Sequence, residues 1–246
     1  MKKFVIGLVF VKAVFLFALV LAACQTAELS KLEIFPTVSP TAAPPTNSNE
    51  NINRPKSEPY TGDLSIFEDE NRAKNLQIDR VMDILKITEG KNVADIGAGS
   101  GWFTTRAAKR VGDKGKIFAV EINQEYIEYI NERAKKENYA NIQTVTGAED
   151  NPNLAKNSVD AVLILKTYHE IAEPIKVLRN LRGSLRPNAL VGIIDKNGKG
   201  DDHGINKEIV TEEAKRAGFV LVDQYDFVKT DGMDYFLVFR AEKSVK

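Results

Sequence analysis

The stretch VADIGAGSG, residues 93–101, decides the fold of this chain. It begins as an apolar strand that carries Asp95 near its end. Three glycines follow on alternate positions, Gly97, Gly99 and Gly101. Glycine has no Cβ, so the backbone can turn sharply here and approach a ligand closely. A helix that starts near Ser100 would offer unpaired N–H groups to that ligand, so the stretch predicts a cofactor site between a strand and a helix.

The spacing of the glycines separates two classes of cofactor. A dinucleotide fingerprint reads G-x-G-x-x-G, whereas Gly97 to Gly101 read G-x-G-x-G. Asp95, two residues before the first glycine, would repel a pyrophosphate but suits a ligand with an ammonium or sulfonium charge. A dinucleotide-dependent oxidoreductase is therefore disfavoured.

Hydrophobic periodicity predicts alternating strands and helices along the rest of the chain. Strands are predicted at 92–96, 116–122, 142–145, 159–165, 189–194, 219–225 and 235–239, and helices at 71–86, 102–111, 123–137, 174–185 and 207–217. The alternation indicates parallel βαβ units, and the short turn at Thr230-Asp231-Gly232 indicates a final antiparallel hairpin. The expected fold is α/β, a Rossmann-like three-layer sandwich around a seven-stranded, mostly parallel sheet whose last strand is antiparallel.

A second acidic residue ends the next strand. The strand GKIFAVEI carries Glu121 near its tip, about twenty residues beyond the glycine loop. A carboxylate in that position can accept hydrogen bonds from both hydroxyls of a ribose. On its own Glu121 is typical of a solvated strand end, but together with Asp95 and the glycines it favours ribose binding.

In this order the motifs resemble those of the class I S-adenosylmethionine-dependent methyltransferases, from about residue 70 to about residue 240. The resemblance implies S-adenosyl-L-methionine as cofactor and methyl transfer to a small-molecule acceptor. It implies that Glu121 binds the ribose and that Ile122 flanks the adenine. The remaining cofactor-binding positions that it implies are Asp95, Gly97, Ala98, Gly99, Gly101 and Lys166.

The acid expected near the adenine amino group is displaced in this chain. Many members of the family have a G-D-A-like stretch after the third strand, whereas here the sequence is Gly147-Ala148-Glu149-Asp150. Either Glu149 or Asp150 can contact the adenine, the other being a turn residue. Glu149 is the predicted contact.

Chemistry is expected at the carboxyl end of the fourth strand, where open α/β sheets bind ligands. The chain reads Lys166-Thr167-Tyr168-His169-Glu170 there. An imidazole at position 169 can remove a proton from the acceptor, and Tyr168 can bind the substrate or shape the pocket. The alternative is that His169 caps the next helix and Tyr168 packs in the core.

Two further residues have open interpretations, and a metal site is not expected. Arg72 is either a lid residue of the pocket or a solvated helix charge. His203, in a polar loop after the fifth strand, is either a second proton carrier or a loop residue without a chemical role. With two histidines and no cysteine after Cys24, the domain is not expected to build a thiolate or multi-histidine zinc site. A hard cation held by scattered carboxylates is the alternative, although no ligand spacing indicates one.

The N-terminus has the pattern of an export signal. Lys2 and Lys3 precede an apolar segment, and residues 13–23 form an unbroken hydrophobic stretch before Cys24. The ending Leu-Ala-Ala-Cys resembles a bacterial lipobox, in which the cysteine is lipidated. A transmembrane anchor is the alternative, but eleven residues span only about 16 Å, which is short of the hydrocarbon core.

Composition divides the chain into three parts. Residues 1–23 are predicted to be a lipoprotein signal peptide, residues 24–60 a disordered tether rich in Pro, Thr, Ser and Asn, and residues 61–246 the methyltransferase domain. The stretches SIFEDENRAK and FVKTDGMDYFLVF resemble those of a subgroup of exported bacterial methyltransferases. The expected location is the cell envelope, facing the periplasm or the cell surface, with the membrane reached through the lipid anchor.

Charge narrows the set of partners. The chain has 34 Lys and Arg and 34 Asp and Glu, so no global field attracts nucleic acid. No obligate protein partner is indicated. Two functions remain open, a methyltransferase for a small-molecule or envelope acceptor, and a non-catalytic lipoprotein that binds an adenosyl or other nucleoside ligand on the same scaffold.

Overall fold

The computed structural model describes residues 52–229 and 231–242, and within them seven strands form one sheet. The strands are β1 Asn92–Ile96, β2 Lys116–Glu121, β3 Ile142–Thr146, β4 Val159–Leu165, β5 Leu185–Lys196, β6 Phe219–Tyr225 and β7 Asp234–Ala241. Their order across the sheet is β3-β2-β1-β4-β5-β7-β6. β1 to β5 pair in parallel, and β7 lies antiparallel between β5 and β6. The predicted fold class is confirmed; Thr230 of the predicted hairpin turn lies outside the described residues.

Helices cover the sheet between the strands. They are α1 Arg72–Asn75, α2 Ile78–Ile84, α3 Trp102–Val111, α4 Gln124–Lys136, α5 Pro174–Ser184 and α6 Lys207–Arg216, with short 3₁₀ helices at Leu64–Glu68 and Tyr168–Glu170. Asn123 and Asn206 begin α4 and α6 as N-caps, since each side chain accepts a backbone N–H of the first turn. None of the helices in this part of the chain is long and apolar enough to cross a membrane.

The core has two layers because alternate residues of a strand point to opposite faces of the sheet. In β4, Leu163 and Leu165 pack with α2 and α3 on one face. Val162 and Ile164 pack with α5 and α6 on the other. Strands buried on both faces read as continuous apolar runs, which is why the sequence of β4 predicts a central strand.

The helix predicted over residues 71–86 is interrupted in the structure. Gln77 adopts a left-handed conformation, with φ 47° and ψ 49°, and it separates α1 from α2. Successive residues of a regular helix are 100° apart, so Leu76 and Ile78 could not both face the sheet in one helix. The break lets both be buried, and the Gln77 side chain donates to the carbonyl of Phe227 over 3.1 Å.

The predicted boundary between tether and domain also differs from the structure. Residues 52–61, called the N-terminal arm below, pack on the domain instead of ending outside it. The guanidinium of Arg54 donates to the carboxylate of Glu213 over 2.9 Å, and Ser57 is buried. The arm is held by polar contacts to residues that are distant in the sequence. Its low hydrophobicity therefore does not predict that it packs on the domain. The remainder of the predicted tether, the signal peptide and Cys24 lie outside the described residues.

Candidate cofactor site

A cavity of about 470 Å³ opens at the carboxyl ends of β1, β2 and β4. The strand order reverses between β1 and β4, which is the switch point where open α/β sheets bind ligands. Most of the residues predicted to bind the cofactor line it: Asp95, Gly97, Ala98, Gly99, Glu121, Ile122, Glu149 and Lys166. The topology therefore brings together positions that are up to 71 places apart in the sequence, from Asp95 to Lys166.

The glycine loop leaves no room for a side chain at its first glycine. Gly97 has φ +70°, and a Cβ placed there would lie 2.2 Å from Cγ2 of Thr167. A Cβ on Gly99 would meet no atom within 4 Å, although its φ is +54°. Gly101 begins α3 and is not among the cavity-lining residues. A Cβ on it would lie 3.3 Å from Ile130, so its role is to let the loop approach α4.

Asp95 is a buried carboxyl among the residues that line the cavity. Its Oδ2 accepts the hydroxyl of Thr104 over 2.6 Å. Burial raises the pKa of Asp95 to about 6, against the opposing hydrogen bond from Thr104 and the charge of Arg72. Because solvation of the ionised form has been lost, a ligand cation beside this group would be stabilised.

Glu121 joins the tip of β2 to the glycine loop. Its Oε2 accepts the backbone N–H of Gly99 over 3.0 Å, and its Oε1 accepts those of Ile122 at 2.8 Å and Asn123 at 3.1 Å. A carboxylate has about four acceptor sites, so capacity is left for a ligand hydroxyl. Ile122 beside it is 53% exposed and lines the cavity, and so offers an apolar surface to a ligand ring.

The two acidic residues that follow β3 differ in their positions relative to the cavity. Glu149 lines the cavity, whereas Asp150 is not among the lining residues. The backbone carbonyl of Asp150 accepts the side-chain amide of Asn180 over 2.9 Å, as expected of a turn position. Of the two alternatives, only Glu149 is placed to meet a ligand in this cavity.

Lys166 lines the cavity, but its charge is already paired. The residue has φ 57°, and its ammonium group forms an ion pair with Asp234 at the start of β7. Asp234 is buried, so the pair fixes the end of β4 against the end of β7. The cation is therefore engaged within the protein.

Neither Tyr168 nor His169, the two residues predicted to be catalytic, is among the residues that line the cavity. The 3₁₀ helix at Tyr168–Glu170 has three residues per turn, so residues i and i+3 share a face. Thr167 and Glu170 therefore face the cavity together, and the two residues between them turn into the protein. Tyr168 packs in the core, where its hydroxyl donates to Oε2 of Glu213 over 2.9 Å.

Glu170 is the carboxylate that sequence reasoning missed at this corner. It lines the cavity, and its Oε1 accepts the backbone N–H of Tyr60 over 3.3 Å. Burial raises the pKa of Glu170, in opposition to the nearby His169. The i, i+3 relation to Thr167 is the signal that would have found it.

The N-terminal arm and the segment before α1 also contribute residues to the cavity lining. Tyr60 and Phe67 line the cavity and meet edge to face, with ring centroids 5.3 Å apart. The hydroxyl of Tyr126 donates to the carbonyl of Tyr60 over 2.9 Å. Tyr60, Phe67, Glu170 and Ile171 together are called the arm side of the cavity below.

Arg72 belongs to this site as well. It lines the cavity, its guanidinium lies 4.5 Å from the ring centroid of Trp102, and it donates to the carbonyl of Phe67 over 2.8 Å. Burial lowers the pKa of Arg72 to about 10, although Asp95 favours the charged form. Of the two interpretations of Arg72, the structure favours a residue of the pocket wall over a solvated helix charge.

The fold and the site define an α/β domain of the class I methyltransferase type. A sequence profile of the family described as methyltransferase domain matches residues 87–224, more than half of the chain. The chain therefore belongs to this family. The match spans β1 to β6 and so includes the glycine loop, Glu121 and Glu170.

The comparisons with individual proteins are at modest identity. A protein-L-isoaspartate O-methyltransferase from Methanococcoides burtonii is 28% identical over 95 residues, 38% of this chain and 46% of that protein. A demethylmenaquinone methyltransferase from Listeria welshimeri is 22% identical over 114 residues, 46% of this chain and 48% of that protein. The chain thus spans about half the length of the curated relatives that it matches.

A solved structure supports the fold over a longer range. The SAM-dependent methyltransferase from Aquifex aeolicus superposes with a TM-score of 0.65 at 24% identity, covering 73% of this chain and 98% of that one. This likeness concerns the fold.

Proposed function

We propose that this protein is an S-adenosyl-L-methionine-dependent methyltransferase that acts on a small molecule. The observation that carries the proposal is that Asp95 and Glu121, from neighbouring strands, line one cavity together with the glycine loop. Two carboxylates there are unsuited to a pyrophosphate, but they suit a ligand with a positive charge and a ribose. Membership of the methyltransferase domain family agrees with this ligand.

Each part of the cofactor has a proposed partner. The positively charged end of S-adenosyl-L-methionine binds near Asp95, where the buried carboxyl lacks solvation. The ribose hydroxyls bind Glu121, and the adenine lies against Ile122 with its amino group towards Glu149. The backbone of the glycine loop, which has little side-chain cover, closes over the ligand.

The acceptor binds on the arm side of the cavity. Tyr60, Phe67 and Ile171 offer aromatic and apolar contacts there, and Glu170 supplies one carboxylate. This combination suits a compact, partly apolar acceptor with a polar group. Because the sulfonium is already activated, holding the acceptor in line with the methyl group contributes much of the rate.

We also propose that the domain is a lipoprotein of the bacterial cell envelope. The support is the sequence alone: a basic start, a short apolar segment and the Leu-Ala-Ala-Cys ending at Cys24. Several acyl chains would anchor such a protein stably, where one would not. Mass spectrometry of the mature N-terminus should find acyl groups on Cys24, and a mature protein that retains Met1 would contradict the proposal.

Calorimetric titration of the full chain with S-adenosyl-L-methionine, S-adenosylhomocysteine and NAD tests the cofactor. The two adenosyl ligands should bind and NAD should not. Glu149→Gln should weaken the binding of the adenosyl ligands. The matched variant Asp150→Asn should leave their binding unchanged, because Asp150 is one residue away and outside the cavity lining. Failure of both adenosyl ligands to bind would overturn the proposal, and binding without turnover of any acceptor would favour the non-catalytic alternative.

A further inference from the structure

Two histidines and a glutamate converge beside the arm side of the cavity. They are His169 and Glu170 from the 3₁₀ helix after β4, and His203 from the loop between β5 and α6. One ligand atom from each, a ring nitrogen or a carboxylate oxygen, lies within 4.8 Å of the other two. In the part of the chain that the structure describes, this group has the donor set of two imidazoles and one carboxylate that holds divalent transition metals.

The imidazole of His169 is oriented by a buried partner. Its Nδ1 lies 2.9 Å from Oδ1 of Asp195, which is fully buried at the end of β5. Asp195 also accepts the backbone N–H groups of His169 and Lys196, over 3.1 Å and 2.8 Å. A carboxylate with these donors is an acceptor, so a neutral imidazole in this position carries its proton on Nδ1 and its lone pair on Nε2.

Nε2 is the atom that faces the group. It lies 3.8 Å from Oε1 of Glu170, which is beyond hydrogen-bond distance. A carboxylate behind a histidine, with the other nitrogen left free, is the arrangement that fixes the tautomer and raises the basicity of metal-binding histidines. Asp195, His169 and Glu170 thus alternate as acid, imidazole and acid. This arrangement favours a cation between Nε2 of His169 and the carboxylate of Glu170.

The loop of His203 is held in place by the N-terminal arm. The hydroxyl of Ser57 accepts the backbone N–H of His203 over 3.0 Å and donates to the carbonyl of Gly200 over 2.9 Å. The backbone N–H of the same serine donates to the carbonyl of His169 over 3.2 Å. One buried residue thus joins the two backbones that carry the imidazoles, which lie with their ring centroids 5.8 Å apart.

We propose that His169, Glu170 and His203 bind a divalent transition metal ion, with Asp195 as the positioning residue for His169. Ligand atoms of a tetrahedral zinc site are about 3.4 Å apart for bonds near 2.1 Å. The ligand atoms lie within 4.8 Å of one another, so metal binding requires them to move closer together, and His203 is the one of the three whose side chain is exposed. Three protein ligands leave a coordination position open, and Glu170 places the ion at the edge of the cavity.

The site escapes sequence reasoning because its histidines are far apart in the chain and no short ligand spacing marks them. Its support is the geometry of these residues alone, so it does not depend on the proposed methyl transfer. Within the site, His203 is the residue whose replacement carries the least risk to folding, because its side chain is exposed whereas His169 is buried.

Titration of the metal-stripped full chain with Zn²⁺ and with Co²⁺ tests the site. The wild type should bind one Zn²⁺ per chain, and the Co²⁺ adduct should show the visible absorption of a nitrogen- and oxygen-ligated ion. His203→Ala and Glu170→Gln should each weaken Zn²⁺ binding at least tenfold. The matched control Asp201→Ala, an exposed residue of the same loop, should leave it unchanged.

Two outcomes would overturn the inference: no Zn²⁺ bound by the wild type, or equal binding by wild type and His203→Ala. Cys24 is unchanged in every variant, so it cannot produce the difference. Titration of the same samples with S-adenosyl-L-methionine separates the two proposals. Cofactor binding without Zn²⁺ binding would refute the metal site alone, and Zn²⁺ binding without cofactor binding would refute the proposed function alone.

Discussion

The backbone N–H of Gly99 donates to Oε2 of Glu121 over 3.0 Å, so the glycine loop and the tip of β2 are held by the same carboxylate that faces the cavity. The other oxygen of Glu121 accepts two further N–H groups. This residue therefore shapes the loop as well as supplying the carboxylate that we propose binds the ribose. Its two roles make a specific prediction for the amide variant.

Glu121→Gln should weaken S-adenosyl-L-methionine binding by at least tenfold. The amide has one oxygen where the carboxylate has two, so an NH₂ group must face either Gly99 or the pair Ile122 and Asn123, which are all donors. Leaving a donor unpaired costs about 1–3 kcal/mol of folding free energy. Calorimetry and urea unfolding measure the two effects. Glu125→Gln, on the exposed surface of α4, is the control, and an effect of equal size there would contradict the assignment.

Asp95→Asn should stabilise the unliganded protein at neutral pH, and it should weaken the binding of S-adenosyl-L-methionine. The pKa of Asp95 is raised from 3.8 to about 6 in the folded state, so the folded state binds a proton more tightly than the unfolded state does. The contribution of this group to stability is therefore present below pH 4 and is lost as the pH rises towards 6 and above. The loss is of order 3 kcal/mol.

Urea unfolding of the wild type and Asp95→Asn at pH 4.5 and pH 7.5 measures this effect. The free energy of unfolding of the variant should increase relative to that of the wild type as the pH rises. Cofactor affinity of the wild type should increase through the same range, because the ionised carboxylate is the form that attracts a cation. A difference between the two proteins that does not change with pH would contradict the assignment of the buried carboxyl.

Alanine at Gly97 and at Gly99 should have unequal consequences. Both glycines have positive φ, so each substitution costs about 1–2 kcal/mol of backbone strain. At Gly97 the new Cβ would also lie 2.2 Å from Thr167, whereas at Gly99 it would meet nothing within 4 Å. Gly97→Ala should therefore lower the melting temperature considerably more. Equal melting temperatures for the two variants would contradict this prediction, because they would show that Thr167 can move away from the new Cβ without loss of stability.

Local signals in the sequence were enough for the sheet and for the part of the cavity that the glycine loop and the strand-end carboxylates line. β1, α3 and β6 have the predicted bounds, because each begins and ends at residues that change the periodicity or break it. Asp95 and Glu121 could be placed because strand ends on neighbouring strands meet at one edge of the sheet.

The arm side of the cavity could not be predicted from local signals. A one-turn 3₁₀ helix decides that Glu170 and not His169 lines the cavity, and three residues carry no measurable periodicity. The N-terminal arm is held by Arg54, whose partner Glu213 is 159 positions away. Pairings at such a distance leave no pattern in a single sequence.

Tyr168→Phe should leave cofactor binding unchanged, since the ring does not line the cavity. The hydroxyl donates to Glu213, which keeps Arg54 as a second donor. Loss of one hydrogen bond to a charged, buried partner costs about 1.5–3 kcal/mol. Urea unfolding should show this loss of stability, and the affinity for the cofactor should stay constant. A loss of affinity in a fully folded variant would indicate that Tyr168 contributes to the binding site.

Arg54→Ala should destabilise the domain by about 3–5 kcal/mol, because Glu213 would keep a buried charge without its main partner. Glu213 is fully buried, and burial already raises its pKa, so removal of the guanidinium should raise that pKa further. At low pH a carboxyl with a raised pKa in the folded state is protonated, so the folded protein no longer buries an unpaired charge. The destabilisation should therefore be larger at pH 8 than at pH 5.

The double variant Arg54→Met with Glu213→Gln separates the ion pair from the packing of the arm. It removes both charges, so it should lose less stability than the sum of the two single variants. Arg216→Ala breaks the exposed pair with Glu212 and should change stability by less than about 1 kcal/mol. If Arg54→Ala were as mild as Arg216→Ala, the N-terminal arm would contribute little to the fold, and the domain would begin after it, as its composition alone suggests.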